Sequence, residues 1–188
     1  MCVHAHPDDE AISTGGVLAR YGAEGIETVL VTCTNGELGD GPGGVKPGEP
    51  GHTDADVASR RARELAESCA ALGIEHAERL GYRDSGMAGW SENANAEAFS
   101  RLEVGDGVER LAPLLERYRP QVVVTYDENG FYGHPDHIQA HRVTVAAMDA
   151  TGIGEKLYYP AVPLSAIADI SHFLTEHGVE VPLGLRGG

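Results

Sequence analysis

The sequence has little of several features that mark particular classes of protein. It contains only three cysteines, Cys2, Cys33 and Cys69, and their wide spacing is unlike a disulfide framework or a thiolate metal site. Basic residues are scarce as well: 14 lysines and arginines face 29 acidic residues, which gives a formal net charge of −15. Nucleic acids and anionic membranes both require a basic patch. We therefore expect neither as a partner, and we expect each cysteine to be a small buried apolar side chain.

Long apolar stretches are also missing. No run approaches the ~20 residues that span a bilayer, and residues 1–6 do not resemble a signal peptide. These absences predict a cytoplasmic protein without a membrane anchor. The length of 188 residues, with 41% hydrophobic residues, suits one domain that buries roughly 70% of the surface of its unfolded chain. We therefore predict a single domain over residues 1–188 and leave open whether it forms a homo-oligomer.

Helix and strand patterns alternate along the chain. They predict helix 11–24, strand 26–32, irregular loop 35–52, helix 57–72, strand 74–80, irregular loop 82–95, helix 108–118, strand 121–126, a helix beginning near Pro135, a strand at Tyr158 and Tyr159, and helix 163–177. Almost continuous β-prone runs are typical of strands that are buried on both faces of a parallel sheet. We therefore predict the α/β class, with a Rossmann-like, open and mostly parallel sheet and helices on both faces. In the first helix, an apolar stripe is expected at Ile12, Val17, Leu18 and Tyr21.

Five of the nine histidines lie in two short clusters, at 4–10 and at 134–141. The first cluster stands between an opening strand and the first helix, and the second begins a helix after strand 121–126. In an open parallel sheet, ligands bind beyond the carboxyl ends of the strands, so both clusters should meet at one edge. The five histidines are His4, His6, His134, His137 and His141.

These clusters offer the ligands of a catalytic metal site. Three protein ligands with nitrogen and oxygen donors, and one open position, are typical of catalytic rather than structural zinc. His6, Asp9 and His137 would supply that set, and Asp8 could accept a proton from the bound water. The absence of thiolates also allows Fe²⁺, Co²⁺ or Mn²⁺. Acidic residues at 8–10 alone would indicate helix capping, but together with His-Pro-Asp-His at 134–137 they favour a metal site.

The two segments resemble the LmbE-like, or PIG-L, family of zinc-dependent N-deacetylases. His-Pro-Asp-Asp-Glu at 6–10 and His-Pro-Asp-His at 134–137 match its two signatures. Thr-Cys-Thr-Asn-Gly-Glu at 32–37 and Arg-Asp-Ser-Gly-Met at 83–87 resemble the mycothiol-pathway branch, which comprises the N-acetylglucosaminyl inositol deacetylase and the mycothiol S-conjugate amidase. The similarity covers about residues 3–163. It implies a Rossmann-like fold and a hydrolase that removes the acetyl group from an N-acetylglucosamine conjugate.

The resemblance also implies roles for individual residues. A metal, zinc or another divalent ion such as Fe²⁺, would be held by His6, Asp9 and His137, with Asp8 as the general base that completes deprotonation of the attacking water. Tyr132 and a protonated His134 would stabilise the oxyanion that forms at the amide carbon. His134 would also protonate the leaving amine.

Substrate contacts are implied at three positions, all toward a small amino-sugar substrate: Arg61, Asp84 and Glu37. Asp136 is expected to orient His134 without touching the metal.

Ser13 stands where the S-conjugate amidases tend to carry a lysine, which favours the deacetylase over the amidase. Only five residues precede His6, and family members usually continue beyond Gly188, so we expect a domain that is short at both ends.

Two alternatives belong to other classes. A catalytically silent module that binds sugar or metal would show affinity without acetate release, although the complete set of Asp8, Tyr132 and His134 argues against it. A nucleotide-binding protein is disfavoured because no Gly-x-Gly-x-x-Gly fingerprint follows the first strand; Gly15 and Gly16 fall inside the predicted helix instead.

Overall fold

A computed structural model describes residues 1–179 of the chain, without the side chains of Leu164 and Ile167. Within this range the centre of the fold is a sheet of five strands in the order β3-β2-β1-β4-β5. Every pair of neighbouring strands is parallel, as predicted. The strands are β1 Cys2–His4, β2 Val29–Thr34, β3 His76–Tyr82, β4 Val122–Val124 and β5 Lys156–Tyr158.

Helices cover both faces of this sheet. They are α1 Gly15–Ala23, α2 Asp54–Leu72, α3 Val104–Tyr118, a short kinked turn α4 Gly130–Gly133, α5 Pro135–Thr151 and α6 Leu164–Glu176. Helices α1 and α2 contact each other on one face, and α3 and α5 contact each other on the other. The predicted Rossmann-like class is therefore confirmed.

Strand β2 shows how the two faces are filled. All six of its residues are buried, and successive side chains of a strand point to opposite faces. Leu30 packs with Leu65 of α2, whereas Val31 belongs to the cluster that contains Leu111 of α3. Both faces are thus buried, which is why the sequence of β2 is a continuous β-prone run rather than an alternation of apolar and polar residues.

The order of elements matches the prediction, while most boundaries move by a few residues. The strand predicted at 26–32 is Val29–Thr34, and the one predicted at 74–80 is His76–Tyr82. The helix predicted from residue 57 begins at Asp54 and ends, as expected, before Gly73, which adopts φ +67°. The helix predicted from residue 108 begins at Val104. Segment 35–52 is irregular apart from a short 3-10 turn, and so is segment 83–95 apart from a 3-10 turn and an isolated bridge at Arg83, while Tyr82 still belongs to β3.

The predicted apolar stripe of the first helix is wrong for three of its four residues. Only Leu18 is buried, at 3% exposure, whereas Ile12, Val17 and Tyr21 are exposed, Ile12 to 81%. The segment is not one helix, because a π-helical turn at Glu10–Thr14 precedes α1. A π turn bonds each residue to the fifth one along, so it breaks the 3.6-residue spacing on which the predicted stripe depends.

The cysteines are placed as the composition predicts. Cys2, Cys33 and Cys69 are buried and form no disulfide with one another. No helix in the part of the chain that the structure describes is long and apolar enough to cross a bilayer.

Candidate metal centre

The two histidine clusters meet at the carboxyl edge of the sheet. β1 and β4 are parallel neighbours, so the loop after β1 and the loop before α5 leave the sheet side by side. The ring centroids of His6 and His134 are 4.6 Å apart, and those of His134 and His137 are 4.9 Å apart. One nitrogen from each of the three rings lies within 4.8 Å of the others. The sheet topology therefore brings together two histidine clusters that are about 130 residues apart in the sequence.

His6 is held between two carboxylates. Its Nδ1 lies 3.2 Å from Asp9 Oδ2, and its Nε2 lies 3.2 Å from Asp136 Oδ2. Burial disfavours the charged ring, but the hydrogen bonds to Asp136 and Asp9 outweigh burial and hold the pKa of His6 well above its usual range. Asp136 is fully buried and accepts further hydrogen bonds from the backbone N–H and the hydroxyl of Ser85. Both ring nitrogens therefore face a carboxylate. Because Asp136 is buried and anchored by Ser85, it keeps the Nε2 proton in place, and Nδ1, beside Asp9, is the nitrogen that could bind a metal.

Asp9 presents its two carboxylate oxygens to different partners. Oδ2 accepts hydrogen bonds from the backbone N–H of His6 at 2.8 Å and from the hydroxyl of Tyr126 at 2.7 Å. Oδ1 lies 3.5 Å from Nε2 of His137. Burial alone would raise the pKa of Asp9, but His137 and His6 hold it well below its usual value. Asp9 is therefore an anion whose Oδ2 is anchored beside His6, while Oδ1 faces His137.

Among the histidine nitrogens and carboxylate oxygens described so far, Nε2 of His137 is the buried atom that makes no hydrogen bond. The Nδ1 of this ring lies 3.3 Å from the carbonyl oxygen of Gly130, which can only accept a hydrogen bond, so the proton belongs on Nδ1 and the lone pair on Nε2. Nε2 is buried and makes no hydrogen bond, a state that costs free energy unless something binds there. The ring itself is fixed by stacking on Tyr126, with centroids 4.0 Å apart.

The chemistry of these donors suits a divalent metal. Among the described residues, the triads whose ligand atoms all lie within 4.8 Å of one another are His6, His134 and His137, and His6, Asp84 and Asp136; Asp9 belongs to neither. His6 Nδ1, Asp9 Oδ1 and His137 Nε2 are two imidazole nitrogens and one carboxylate oxygen, the donor set of catalytic zinc sites. Both imidazoles have their other nitrogen bound to an oxygen acceptor, Asp136 or Gly130, as ligand histidines do. A metal that bound here would displace the Nδ1 proton of His6.

His134 has the opposite arrangement. Its Nδ1 accepts a hydrogen bond of 3.1 Å from the backbone N–H of Asp136, so in the neutral ring the proton is on Nε2. Burial, with His6 and His137 close by, lowers the pKa of His134 to about 3. The imidazolium expected from the resemblance is therefore not supported. A neutral His134 still offers its Nε2–H as a hydrogen-bond donor, and this tautomer favours that role over metal binding.

Asp136 contacts a different histidine from the one expected. The expectation pairs its carboxylate with His134, but the carboxylate lies against His6, and only the backbone N–H of Asp136 bonds to His134. The reason is helix geometry: His134 is the N-cap of α5, so its side chain accepts from the N–H two residues on, while the Asp136 side chain projects back toward the loop after β1.

Asp8 lies at the mouth of the site in a strained backbone conformation. Its φ is +137°, which costs a residue other than glycine about 1–3 kcal/mol. Its carboxylate pairs with the guanidinium of Arg61. Burial raises the pKa of Asp8, and Arg61 opposes the rise. The two consecutive carboxylates have different partners, because Asp8 pairs with Arg61 whereas Asp9 lies against His6 and His137.

A cleft of about 460 Å³ opens over these groups. Asp84 lies in its wall, 3.7 Å from His6 Nε2 through Oδ1, which also accepts a hydrogen bond of 2.8 Å from the N–H of Gly86. Glu37 is buried outside the cleft lining, 3.9 Å from Arg83. Of the residues predicted for the site, those that line the cleft are His6, Asp8, Asp9, Arg61, Asp84, Tyr132, His134 and His137.

Tyr132 stands over the histidines at the rim. Its ring centroid lies 5.0 Å from that of His137 and 6.0 Å from that of His134. Burial, with Asp9 and Asp8 nearby, raises the pKa of Tyr132 to about 12. Its hydroxyl therefore keeps its proton at neutral pH and can donate a hydrogen bond into the cleft.

Sequence reasoning missed two residues of the site. The patterns place Tyr126 only in a strand, and Ser85 only in a resembling segment. Tyr126 is buried and its hydroxyl contacts Ala5 N, His4 Nδ1 and Asp9 Oδ2 at 2.9, 3.3 and 2.7 Å. A signal for Tyr126 existed, because it ends strand 121–126 at the carboxyl edge, where functional side chains gather.

The fold and the site together define an α/β protein with a buried histidine and carboxylate cluster suited to a divalent metal. Comparison with known proteins identifies its family. Residues 1–148 match the PIG-L family, described as GlcNAc-PI de-N-acetylase. The chain therefore belongs to the PIG-L family, as the resemblance indicated.

Curated relatives carry a more specific name. The chain is 49% identical to the 1D-myo-inositol 2-acetamido-2-deoxy-alpha-D-glucopyranoside deacetylase of Acidothermus cellulolyticus, over 90% of this chain and 60% of that protein. It is 48% identical to the protein of the same name from Thermomonospora curvata, over 89% of this chain and 61% of that protein. The chain thus spans about 60% of the length of these relatives.

Solved structures share the fold. The N,N'-diacetylchitobiose deacetylase from Pyrococcus horikoshii matches with a TM-score of 0.65 at 20% identity, over 98% of this chain and 71% of that one. A conserved protein from Thermus thermophilus matches with a TM-score of 0.59 at 30% identity, over 87% of this chain and 68% of that one.

Proposed function

We propose that this chain carries the catalytic core of a zinc-dependent deacetylase that hydrolyses the acetamide of N-acetylglucosaminyl inositol. The observation that carries the proposal is the unpartnered Nε2 of His137, buried 3.5 Å from Asp9 Oδ1 beside His6. The chain belongs to a family described as GlcNAc-PI de-N-acetylase. Relatives that are almost half identical are named for this deacetylation.

The residues around the cleft have separate roles in the hydrolysis: one transfers protons, and two stabilise negative charge on the amide oxygen. When bound, a divalent metal supplies the Lewis acidity that brings water near a pKa of ~7. Asp8 takes a proton from the attacking water, because it is the carboxylate at the mouth of the cleft that does not bond to the histidines, and it gives this proton to the amine nitrogen as the C–N bond breaks. As the amide oxygen becomes negative, the hydroxyl of Tyr132 and the Nε2–H of His134 donate hydrogen bonds to it.

The cleft suits a small polar substrate. Its volume of about 460 Å³ falls in the usual range of roughly 300–1,000 Å³ for ligand sites. Asp84 in the wall offers a carboxylate that can accept hydrogen bonds from sugar hydroxyls. Ser13 also lines the cleft, at the position where the resemblance places a lysine in the S-conjugate amidases, and this difference supports the deacetylase.

Zinc is proposed because the ligands are two imidazoles and one carboxylate, and Fe²⁺ is the alternative that the same donors allow.

We also propose that the protein acts in the cytoplasm. The three buried, unpaired thiols support this location, because small proteins of oxidising compartments usually carry disulfides.

The test is release of primary amine and acetate from N-acetylglucosaminyl inositol by the metal-free protein after reconstitution with Zn²⁺ or Fe²⁺. We expect turnover that a chelator abolishes. Asp8→Asn should keep stoichiometric metal and lose about 10²–10⁴-fold in kcat, the usual contribution of a general base.

Other outcomes would reassign the protein. Faster cleavage of a mycothiol S-conjugate than of the inositol substrate would make it an amidase. Stoichiometric binding of metal and sugar without acetate release would make it a silent binding module. Normal turnover in Asp8→Asn would refute the role of Asp8 while leaving the deacetylase activity in place.

A further inference from the structure

Arg61 is predicted from the resemblance as a sugar contact, but the structure uses its guanidinium inside the protein. Arg61 lies on α2 with its side chain 14% exposed. Nη1 donates to the carbonyl oxygen of Gly36 at 2.8 Å, and Nη2 donates to that of Pro7 at 2.8 Å and to the carboxylate of Asp8. The guanidinium thus joins the loop after β1 to the loop after β2, and three of its hydrogen bonds are made without substrate.

The loop after β2 is shaped around this guanidinium. A Cβ at Gly36 would overlap Arg61 Nη1, and a Cβ at Gly39 would lie 2.8 Å from the same nitrogen. Gly36 also adopts φ +66°, which favours glycine. Two glycines therefore make room for one arginine, which is a poor arrangement for a side chain that must swing out to reach a ligand.

Asp8 is held from α2 by a second route. The backbone N–H of Asp8 donates to Glu10 Oε2 at 2.9 Å, and Ser68 donates to Glu10 Oε1 at 2.6 Å. Ser68 stands about two helical turns beyond Arg61, on the same face of α2. One helix face thus fixes both the main chain and the side chain of Asp8, whose positive φ would otherwise relax.

We propose that Arg61 is a positioning residue that holds the carboxylate of Asp8 at the angle needed to take a proton from the attacking water. The inference rests on the proposed function, in which Asp8 is the general base. A planar guanidinium suits this role because it can satisfy several acceptors in fixed directions, whereas the ammonium of lysine is a point charge on a flexible stem.

The kinetic test is a double-mutant cycle with the zinc-loaded protein and N-acetylglucosaminyl inositol. Arg61→Ala should lower kcat by about 10²-fold, the effect of misplacing a catalytic group, with KM unchanged. In the Asp8→Asn background the same substitution should cause no further loss, because residues that act through one another are not additive. Arg61→Lys should give a kcat between those of the wild type and Arg61→Ala. The control is Arg60→Ala, which removes an exposed arginine paired with Glu64 on the same helix; it should leave kcat unchanged.

A readout without metal or substrate checks the same contact. The amides of Ala11 and Ile12 bond to the carbonyl of Asp8 at 3.1 and 3.4 Å. Their hydrogen exchange in the metal-free protein should be faster in Arg61→Ala and unchanged in Arg60→Ala. Gly39→Ala, which displaces the guanidinium but keeps its charge, should speed the same amides, whereas Gly105→Ala, with no heavy atom within 4 Å of the new Cβ, should not.

The results separate the inference from the proposed function. If the wild-type protein releases no acetate with any metal, the proposed function fails. If the wild-type protein is active, a rise in KM with kcat unchanged in Arg61→Ala would return Arg61 to the role of a substrate contact and overturn the inference. Additive losses in the double mutant, or unchanged exchange at Ala11 and Ile12, would overturn it too.

Discussion

The hydroxyl of Tyr126 donates a hydrogen bond of 2.7 Å to Oδ2 of Asp9, from a position 117 residues further along the chain. It also accepts from the backbone N–H of Ala5 at 2.9 Å, so its proton is directed at Asp9. This hydrogen bond occupies Oδ2 of Asp9, while Oδ1 of the same carboxylate faces His137. A residue of the strand edge thereby decides which oxygen of Asp9 is available to a metal.

Tyr126→Phe should weaken zinc binding about 10–100-fold, the usual cost of losing a partner of a metal ligand. The phenylalanine keeps the stack on His137 but leaves Oδ2 without its hydroxyl donor. Competition with a chromophoric chelator measures the change in Kd. Tyr118→Phe is the matched control, because its hydroxyl bonds to Glu78, away from the cleft; equal losses in both variants would contradict the role of Tyr126.

Asp136→Asn should also weaken zinc binding about 10–100-fold. An amide in place of the carboxylate removes the anion that fixes the Nε2 proton of His6, and the amide nitrogen has no lone pair to offer. Zinc affinity is measured by the same competition, with the metal-free Tm as a check on folding. Ser85→Ala should reproduce part of the loss, since Ser85 anchors Asp136. Undiminished affinity in Asp136→Asn would show that His6 is oriented by other contacts.

Zinc should raise the thermal stability of the metal-free protein. A ligand that binds only the folded state at 100 times its Kd stabilises that state by about 2.7 kcal/mol. Differential scanning calorimetry should show a Tm that climbs with zinc concentration in the wild type and stays constant in His137→Ala. His172→Ala, in the exposed pair with Glu176, should respond as the wild type does. A full response in His137→Ala would exclude His137 as a ligand.

Two substitutions on α1 test its orientation in the fold. Leu18→Ala should lower the free energy of unfolding by about 2–5 kcal/mol, because Leu18 is 3% exposed and packs with Leu30 and Leu65. Val17→Ala, at 48% exposure, should change it by no more than about 0.5 kcal/mol. Urea denaturation of both variants measures the difference. Similar losses would mean that the apolar stripe predicted from the sequence faces the core after all.

Local patterns were enough to predict the class of fold and the neighbourhood of the site. The β-prone runs of β2 and β4 indicate buried parallel strands because neither run alternates between apolar and charged residues. Helix ends such as Gly73 are signalled by a residue that tolerates positive φ. The histidine clusters could be placed at one edge, since parallel strands that alternate with helices bring their carboxyl ends together.

The boundaries and the face of α1 could not be predicted in the same way. A hydrophobic stripe assumes one helical period, and the π-helical turn at Glu10–Thr14 changes that period. The turn follows the strained Asp8, whose conformation depends on contacts with α2 that no local pattern reveals. Ile12 is therefore exposed although its spacing favours burial.

The sequence by itself determined the α/β class, the acidic surface and the supply of imidazole and carboxylate groups to one edge of the sheet, because these follow from composition and from short-range periodicity. The tertiary structure alone decided which atom of each group is free. Asp136 and Gly130 bond to one ring nitrogen each of His6 and His137, Tyr126 bonds to one oxygen of Asp9, and Arg61, predicted as a sugar contact, pairs with Asp8 at the edge of the cleft. Hydrogen-bond direction depends on atoms brought together from distant parts of the chain, and spacing along the sequence does not encode it.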